Sequence, residues 1–294
     1  MNASLKAYLT TFRIWQWAKN LVVFTLPLGS GFFDVSTLYN VLFSFIGISL
    51  ISSSIYIIND INDISIDLMH PIKKNRPIAS KAIKIKNAFL TANCLLLVGI
   101  YILYKIEMFS FILGVAYFVT ALGYTFKLKY LPYIDSMTIS ILFIFRLLIG
   151  GYSANISPSV YLAMFIFFSS FGIAISKRIS ILKDNKIHKE SKYLKFLQQN
   201  YTLEKLKIIF KFSFWLAFMV YLLWIITIID IHNIVFLDLF LLISILGLAI
   251  IFSEIYSLTL STGLEDFVFL IIQDKKSIIT MIITCSCIAI RLYF

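Results

Sequence analysis

Long apolar runs, each separated from the next by a short polar segment, extend along almost the whole chain. A helix that crosses the hydrocarbon core of a bilayer needs about 20 apolar residues, and its backbone polar groups must be satisfied within the helix. The pattern therefore predicts an all-α, polytopic membrane protein with one domain over residues 1–294. The nine spans that we predict are residues 16–33, 36–58, 87–104, 108–126, 134–153, 159–177, 208–229, 234–256 and 277–293.

The composition agrees with this pattern and excludes other classes of protein. Of the 294 residues, 60% are hydrophobic and only 14% are charged, whereas a soluble domain carries about a quarter charged residues. A soluble, disordered or disulfide-stapled fold is therefore excluded. The three cysteines, Cys94, Cys285 and Cys287, lie in apolar stretches without metal-ligand spacing, and we expect them to be packing residues.

The distribution of basic residues predicts the orientation of the chain. There are 26 Lys and Arg against 15 Asp and Glu. With the N-terminus in the cytoplasm, 23 of the 26 fall on the cytoplasmic side, in agreement with the positive-inside rule. The net charge of +11 is thus assigned to membrane topology and not to nucleic-acid binding. We expect a multi-pass protein of the inner (cytoplasmic) membrane with a retained N-terminus. Its long cytoplasmic connections, 59–86, 178–207 and 257–276, are expected to carry the chemistry.

The end of the second predicted span carries three aspartates at helical spacing. Asp60, Asp63 and Asp67 fall at i, i+3 and i+7, so they share one helix face within about 60°. Carboxylates this close repel one another near a membrane unless a cation neutralises them. Oxygen ligands suit Mg²⁺, which usually binds through one or two carboxylates plus substrate phosphates. We therefore predict these three aspartates as the catalytic, Mg²⁺-binding residues, with a solvated polar helix end as the alternative.

Basic residues follow the aspartates at short range. Lys73, Lys74 and Arg76 begin six residues after Asp67. Carboxylates for a metal and cations for phosphate oxygens are the two halves of a diphosphate site. The combination favours diphosphate binding over a purely solvated helix end.

The pattern Asn59-Asp60-x-x-Asp63-x-x-x-Asp67, followed by Arg76-Pro77, resembles the first aspartate-rich motif of the UbiA-type intramembrane prenyltransferase superfamily. The resemblance implies a helical bundle around a central cavity that opens to the cytoplasm. It also implies that Mg²⁺ and a diphosphate substrate bind at the cytoplasmic mouth, with Asn59 as a further member of the site.

The region after the sixth span distinguishes two branches of this superfamily. The aromatic prenyltransferases carry a second aspartate-rich motif there, whereas this chain has a lone Asp184, with His188 four residues on. The doublet Lys177-Arg178 is similar instead to the Lys-Arg motif of the decaprenyl-phosphate phosphoribosyltransferase branch. That branch usually has Glu where this chain has Ile181, so the role of that Glu is not carried over.

Two further stretches resemble the same branch. Residues 13–20 resemble its N-terminal R-x-x-Q-W-x-K-N signature, which implies that Gln16, Lys19 and Asn20 face the cavity. Residues 132–151 resemble its fifth-span pattern, and a weaker echo lies at Glu265-Asp266 and Asp274.

Within the fifth span, Asp135 and Arg146 are three helical turns apart and face the same way. Arg146 lies deeper in the span, where an unpaired charge is costly. Pairing with Asp135 would need a long reach, so a phosphate or an acid from another helix is an equal candidate for its partner. Structural roles remain open for the other cations too. Lys177 and Arg178 also fit cytoplasmic anchors, and the tryptophan-rich segment around Lys19 fits an interfacial belt.

The predicted function is Mg²⁺-dependent transfer of phosphoribose from 5-phosphoribosyl diphosphate to a polyprenyl phosphate, with release of pyrophosphate. Both substrates bring anions beyond the diphosphate, so the site must gather positive charge. The candidates for holding the donor's phosphates are Lys73, Lys74, Arg76, Lys177 and Arg178. One alternative is prenyl transfer from an allylic diphosphate to an aromatic or other acceptor. Another is a membrane transporter, against which stands the absence of inverted repeats and of Gly/Pro pairs at midplane.

Overall fold

The computed structural model describes residues 3–31, 34–69, 72–183, 192–229, 235–261 and 274–293. Within these ranges the chain is helical and contains no strand. Twelve α-helices, α1 to α12, follow in chain order: Ala3–Phe12, Thr25–Ser30, Val35–Asn62, Ile64–Met69, Ile85–Ile106, Met108–Phe126, Ile134–Ser153, Val160–Lys183, Lys192–Asn200, Leu203–Ile228, Asp238–Ser261 and Lys275–Tyr293. Three 3₁₀ segments lie between them, Ile14–Phe24, Lys73–Asn75 and Leu128–Tyr130.

Eight of these helices are long and apolar enough to cross a membrane, namely α3, α5, α6, α7, α8, α10, α11 and α12. They correspond to eight of the nine predicted spans, so the prediction of an all-helical membrane protein is confirmed. Residues 16–33 fall mainly on the 3₁₀ segment Ile14–Phe24 and the short helix α2. At their usual rises the two elements have a combined length of about 31 Å, close to the thickness of a bilayer core. The count of nine spans therefore stays a prediction.

Helix α3 is the central element of the first half of the bundle. Close approach to α5 depends on Gly47 and Gly99, since a Cβ atom on Gly99 would lie 2.6 Å from the Gly47 carbonyl oxygen. Buried residues of α3, α5, α6 and α7 form one apolar cluster that includes Ile48, Leu103 and Ile149. The 3₁₀ segment Ile14–Phe24 is unusually long for this type of helix. The backbone carbonyl of Val23 in this segment packs directly on Gly150 of α7.

The second half of the bundle has a separate apolar cluster. Its buried members include Ile175, Leu197, Phe210 and Ile255 from α8, α9, α10 and α11, and Tyr201 from the connection between α9 and α10. Ile181, which stands where the related branch has Glu, is buried in this cluster at 6% exposure. The two halves meet along α7 and α8. Several of the residues that the sequence predicts as functional lie at the C-terminal ends of α3 and α8 and at the N-terminal end of α7: Asn59, Asp60, Lys177, Arg178 and Asp135.

Candidate active site

The acidic segment at the end of α3 is not one continuous helix. The helix ends at Asn62, and α4 begins at Ile64. At the junction the Asp63 carboxylate accepts hydrogen bonds from Asn59 Nδ2 at 3.1 Å and from Asn62 Nδ2 at 2.9 Å. Such local side-chain bonds compete with helix continuation. The expectation of three aspartates on one uninterrupted helix face is therefore corrected, because a turn at Asp63 separates the other two.

Asp60 and Asp67 converge on one basic side chain. Arg76 Nη1 donates to Asp60 Oδ1 at 3.0 Å and to Asp67 Oδ2 at 2.8 Å. The two aspartates are buried, at 3% and 2% exposure. Arg13 forms a second ion pair with Asp60, and its guanidinium lies 4.9 Å from the centre of the Tyr56 ring. Two arginines thus neutralise two carboxylates that water hardly reaches.

Asp63 has a different cation. Its Oδ1 accepts from Lys129 Nζ at 3.4 Å, and its side chain is 18% exposed. Lys129 lies on the 3₁₀ turn Leu128–Tyr130 between α6 and α7, with its ammonium 5.4 Å from the centre of the Tyr130 ring. The three carboxylates of the motif are therefore matched by three basic side chains from three different segments.

This donor set fits a divalent ion in part. Asp60 and Asp67 place oxygens on either side of a single cationic nitrogen, and Mg²⁺ usually needs only one or two carboxylates besides phosphate oxygens. Among the residues that the structure describes, no three Asp, Glu, His or Cys side chains are close enough together to hold a metal ion. Asp60 and Asp67 therefore fit a Mg²⁺–diphosphate complex, whereas the third predicted ligand, Asp63, faces Lys129.

The other predicted cations occupy the rim of the same end. Lys73 and Lys74 lie on the 3₁₀ turn just before Arg76, with Lys73 half-buried and Lys74 exposed. Lys177 is exposed on the last turns of α8. Asp184, His188, Glu265 and Asp266 lie outside the described residues. Asp274 caps α12 through Ser277, and those hydrogen bonds hold the pKa of its carboxyl below the usual range.

Arg178 and Asp135 form a sealed ion pair with each other. Arg178 Nε donates to Asp135 Oδ2 at 2.8 Å, and the two residues are 1% and 0% exposed. The sequence places Asp135 and Arg146 on one side of α7, but the partner of Asp135 comes from α8. The sequence predicts that Asp135 and Arg178 bind substrate. The structure shows them bound to each other, between the two halves of the bundle.

The hydrogen bonds of Tyr201 connect the Arg178–Asp135 ion pair to the segment that carries Lys129. The sequence did not predict a role for Tyr201. Its hydroxyl donates to Asp135 Oδ1 at 3.1 Å and accepts from the Tyr133 backbone nitrogen at 2.6 Å. Tyr133 has φ 64°, a left-handed conformation that this bond helps to hold. Burial raises the pKa of the Tyr201 hydroxyl, and the nearby charge of Asp135 adds to the effect. The network fixes the end of the 128–133 segment, on which Lys129 reaches Asp63.

A second polar cluster lies deeper in the bundle, around Arg146. Its Nε donates to Asn20 Oδ1 at 2.7 Å, and its Nη2 donates to the Tyr117 hydroxyl at 2.7 Å. Asn20 in turn donates to Ser49 Oγ at 3.0 Å, and Ser52 Oγ lies 3.0 Å from the Tyr117 hydroxyl. The predicted pair of Asn20 and Arg146 is brought together here. Tyr117 and the serines were missed, although a serine-rich stretch in a buried apolar span is a usable signal.

Comparisons with known proteins place this geometry in context. The protein named decaprenyl-phosphate phosphoribosyltransferase in Corynebacterium glutamicum is 32% identical over 169 residues, which are 55% of this chain and 51% of that protein. The protein of the same name in Mycolicibacterium smegmatis is 33% identical over 175 residues, 57% of this chain and 54% of that protein. The chain thus spans about half the length of the curated relatives it matches.

Solved structures and family membership agree on the fold. A UbiA homolog from Archaeoglobus fulgidus, bound to DMAPP and Mg²⁺, superposes with a TM-score of 0.65 over 97% of each chain at 15% identity. Residues 22–272, most of the chain, match the UbiA prenyltransferase family. The resemblance carried by the Asn59–Asp67 motif is confirmed: the chain belongs to the UbiA prenyltransferase family.

Proposed function

We propose that this membrane transferase moves phosphoribose from 5-phosphoribosyl diphosphate to a polyprenyl phosphate and releases pyrophosphate. The names of the two curated relatives support the donor and the acceptor. The observation that carries the proposal is the convergence of Asp60 and Asp67 on Arg76, because it sets two carboxylates that suit a metal ion beside a guanidinium that suits phosphate. We further propose that this end of the bundle faces the cytoplasm, across the inner membrane.

Magnesium belongs to this proposal because the donor set suits it and because the Archaeoglobus fulgidus relative is bound to Mg²⁺. Asp60 and Asp67 are the residues that would hold it. When bound, Mg²⁺ supplies charge neutralisation for the pyrophosphate leaving group. The remaining chemistry is assigned to the side chains of this chain.

Arg76 and Arg13 have planar forks of N–H donors that suit diphosphate oxygens, and Lys129 adds a point charge beside them. These cations hold the diphosphate as the C1–O bond breaks and the ribosyl centre becomes oxocarbenium-like. The lipid phosphate oxygen then attacks C1. The lipid phosphate is already ionised at neutral pH, so the reaction needs no general base from the protein.

The phosphoribosyl donor is favoured over an allylic one by the number of basic side chains at this end of the bundle. Asp60, Asp63 and Asp67 are already matched by basic partners, and Asp135 is matched by Arg178. The exposed Lys74 adds a further positive charge at the same end. A donor with two phosphate-bearing ends suits a site with this many basic side chains better than a diphosphate with an apolar tail does.

The test supplies the purified protein with labelled 5-phosphoribosyl diphosphate, a polyprenyl phosphate and Mg²⁺. We expect a labelled lipid that forms with Mg²⁺ and does not form with a chelator. A parallel reaction supplies an allylic diphosphate and an aromatic acceptor, because the solved relative is bound to DMAPP. Prenylated acceptor without labelled lipid would replace the proposed function with prenyl transfer.

A further inference from the structure

Arg146 is a buried charge without an acidic partner among the described residues. Six charged side chains are buried within the described ranges, and five of them belong to ion pairs: Asp60, Asp67, Asp135, Arg178 and Asp238. Arg146, at 5% exposure, is the sixth. Only two of its N–H groups donate to the described part of the chain, although a guanidinium has five.

The neutral groups around Arg146 distribute its charge without cancelling it. The centres of the Tyr117 and Phe143 rings lie 5.0 Å and 4.8 Å from the guanidinium carbon. Rings and neutral hydrogen-bond acceptors lower the cost of a buried cation, but a charge within a membrane span remains expensive unless an anion joins it. Lys19, which the resemblance also implies to face the cavity, is half-buried and lies within electrostatic range of the Tyr117 hydroxyl.

A continuous polar face connects this cluster to the acidic site. Ser49, Ser52, Tyr56 and Asp60 follow one another on α3 at spacings of three or four residues, so they share one helix face. Ser52 bonds to Tyr117 at the Arg146 end, and Tyr56 contacts Arg13 near Asp60. Asp60 follows Ser52 by eight positions in the helix, about 12 Å along the axis. Arg146 and the arginines at Asp60 thus lie along one face of α3, at two different depths in the bundle.

We propose that Arg146, together with Asn20 and Tyr117, forms a phosphomonoester subsite at the inner end of this polar face. Its assignment to the reaction rests on the proposed function, which offers two such groups. One is the 5-phosphate of the donor and the other is the phosphate of the acceptor lipid. Either group supplies the anion that Arg146 lacks within the described part of the protein, and the guanidinium fork suits its oxygens.

The test measures equilibrium binding to the full-length protein in nanodiscs, with wild type, Arg146→Gln and Arg146→Lys. Two probe pairs are used: a short-chain polyprenyl phosphate with its polyprenol, and ribose 5-phosphate with ribose. Lys105→Gln is the matched control. Lys105 is exposed at the far end of α5 with its ammonium 5.6 Å from the centre of the Tyr101 ring, so the control removes a cation–ring pair at the protein surface.

Arg146→Gln should weaken binding of one phosphomonoester by about 10-fold to 100-fold, the loss expected for charged hydrogen bonds. Binding of the unphosphorylated partner should not change. Arg146→Lys keeps the charge but loses the fork, and a loss of about tenfold is expected. A loss confined to the lipid probe assigns the subsite to the acceptor, and a loss confined to ribose 5-phosphate assigns it to the donor.

Equal affinities of wild type and Arg146→Gln for both phosphomonoesters would overturn the subsite, and so would equal losses for phosphorylated and unphosphorylated probes. If Arg146→Gln does not fold, wild-type affinity in Arg146→Lys would overturn the subsite in the same way. None of these measurements needs turnover. A wild-type protein that makes no phosphoribosylated lipid would refute the proposed function, while Arg146-dependent phosphomonoester binding would still support the subsite.

Discussion

Arg76 occupies the position between two buried carboxylates, and its removal leaves both of them short of positive charge. Arg76→Gln should therefore lower transfer activity by about 10²-fold or more, since a donor aimed at developing charge is lost. The same variant should gain more thermal stability from added Mg²⁺ than wild type does, because the ion then supplies the missing charge. Activity assays and unfolding temperatures at increasing Mg²⁺ check both effects.

The control for this prediction is Lys84→Gln, an exposed cation between the same motif and α5. It should change neither activity nor the Mg²⁺ response. Equal Mg²⁺ stabilisation of wild type and Arg76→Gln would contradict the assignment of Asp60 and Asp67 to the metal.

Tyr201 offers a residue-scale test of the network behind Lys129. Tyr201→Phe leaves the Tyr133 N–H and a carboxylate oxygen of Asp135 short of a partner, so a loss of about 1–3 kcal/mol in unfolding free energy is expected. Tyr193→Phe is the matched control, because the Tyr193 hydroxyl makes no hydrogen bond within the described residues. Denaturant unfolding of both variants measures the difference, and equal stabilities would show that the Tyr201 hydroxyl has no such role.

The same residue predicts a pH dependence. Burial raises the pKa of the Tyr201 hydroxyl above its ordinary value of 10.0. A raised pKa in the folded state means that the folded protein holds this proton more tightly than the unfolded chain does. The resulting stability is complete below pH 10 and is lost as the pH rises above it. The unfolding temperature should fall above pH 10, and it should fall less steeply in Tyr201→Phe than in wild type.

Individual residues of the site were predictable where they followed one another along the chain. The Asn59–Asp67 pattern and Arg76 lie within one short segment, and their spacing reveals the motif. Arg13 and Asp60 are 47 residues apart, Lys129 and Asp63 are 66 apart, and Asn20 and Arg146 are 126 apart. These contacts depend on how whole helices rotate against each other, which one sequence does not specify. The resemblance to the family brought Asn20 and Arg146 into the prediction, but it did not reveal that they contact each other.

At the scale of elements, hydrophobic length predicted nine membrane spans, eight of which coincide with long apolar helices of the described residues, and it missed the breaks in regular structure. Asp63 ends α3 because its carboxylate and the amides of Asn59 and Asn62 bond locally. The segment 14–24 adopts a 3₁₀ helix, and apolar content cannot distinguish that conformation from an α-helix. Periodicity reports which residues avoid water, and it says little about where a helix changes form.

The contact between α3 and α5 gives a prediction at this scale. A methyl group on Gly99 would overlap the Gly47 carbonyl, so Gly99→Ala should force the two helices apart and cost about 1–3 kcal/mol. Gly29→Ala is the control, since nothing lies within 4 Å of its Cβ position. Thermal unfolding in detergent measures both, and a Gly99→Ala protein as stable as Gly29→Ala would contradict the close packing.

At the scale of the whole molecule, the orientation in the bilayer is the main prediction to be tested. The substitutions Lys74→Cys and Glu107→Cys each introduce one cysteine, beyond opposite ends of α5. Each is made in a protein from which Cys94, Cys285 and Cys287 have been removed. In intact cells, a membrane-impermeant maleimide should label the cysteine at 107 and spare the one at 74, because the basic end should face the cytoplasm. Labelling of the cysteine at 74 would reverse the topology.

The pairing of every aspartate in the acidic motif with an arginine or lysine has a consequence for selectivity. Because each carboxylate of the motif already has a basic partner, the motif attracts a lone cation such as sodium only weakly. A magnesium diphosphate complex carries positive and negative charge together. Its metal ion can replace the arginines as partner of the aspartates, and its phosphate oxygens can replace the aspartates as partners of the arginines. Selective binding of such a complex then depends mainly on the exchange of ion-pair partners, and less on electrostatic attraction of single ions.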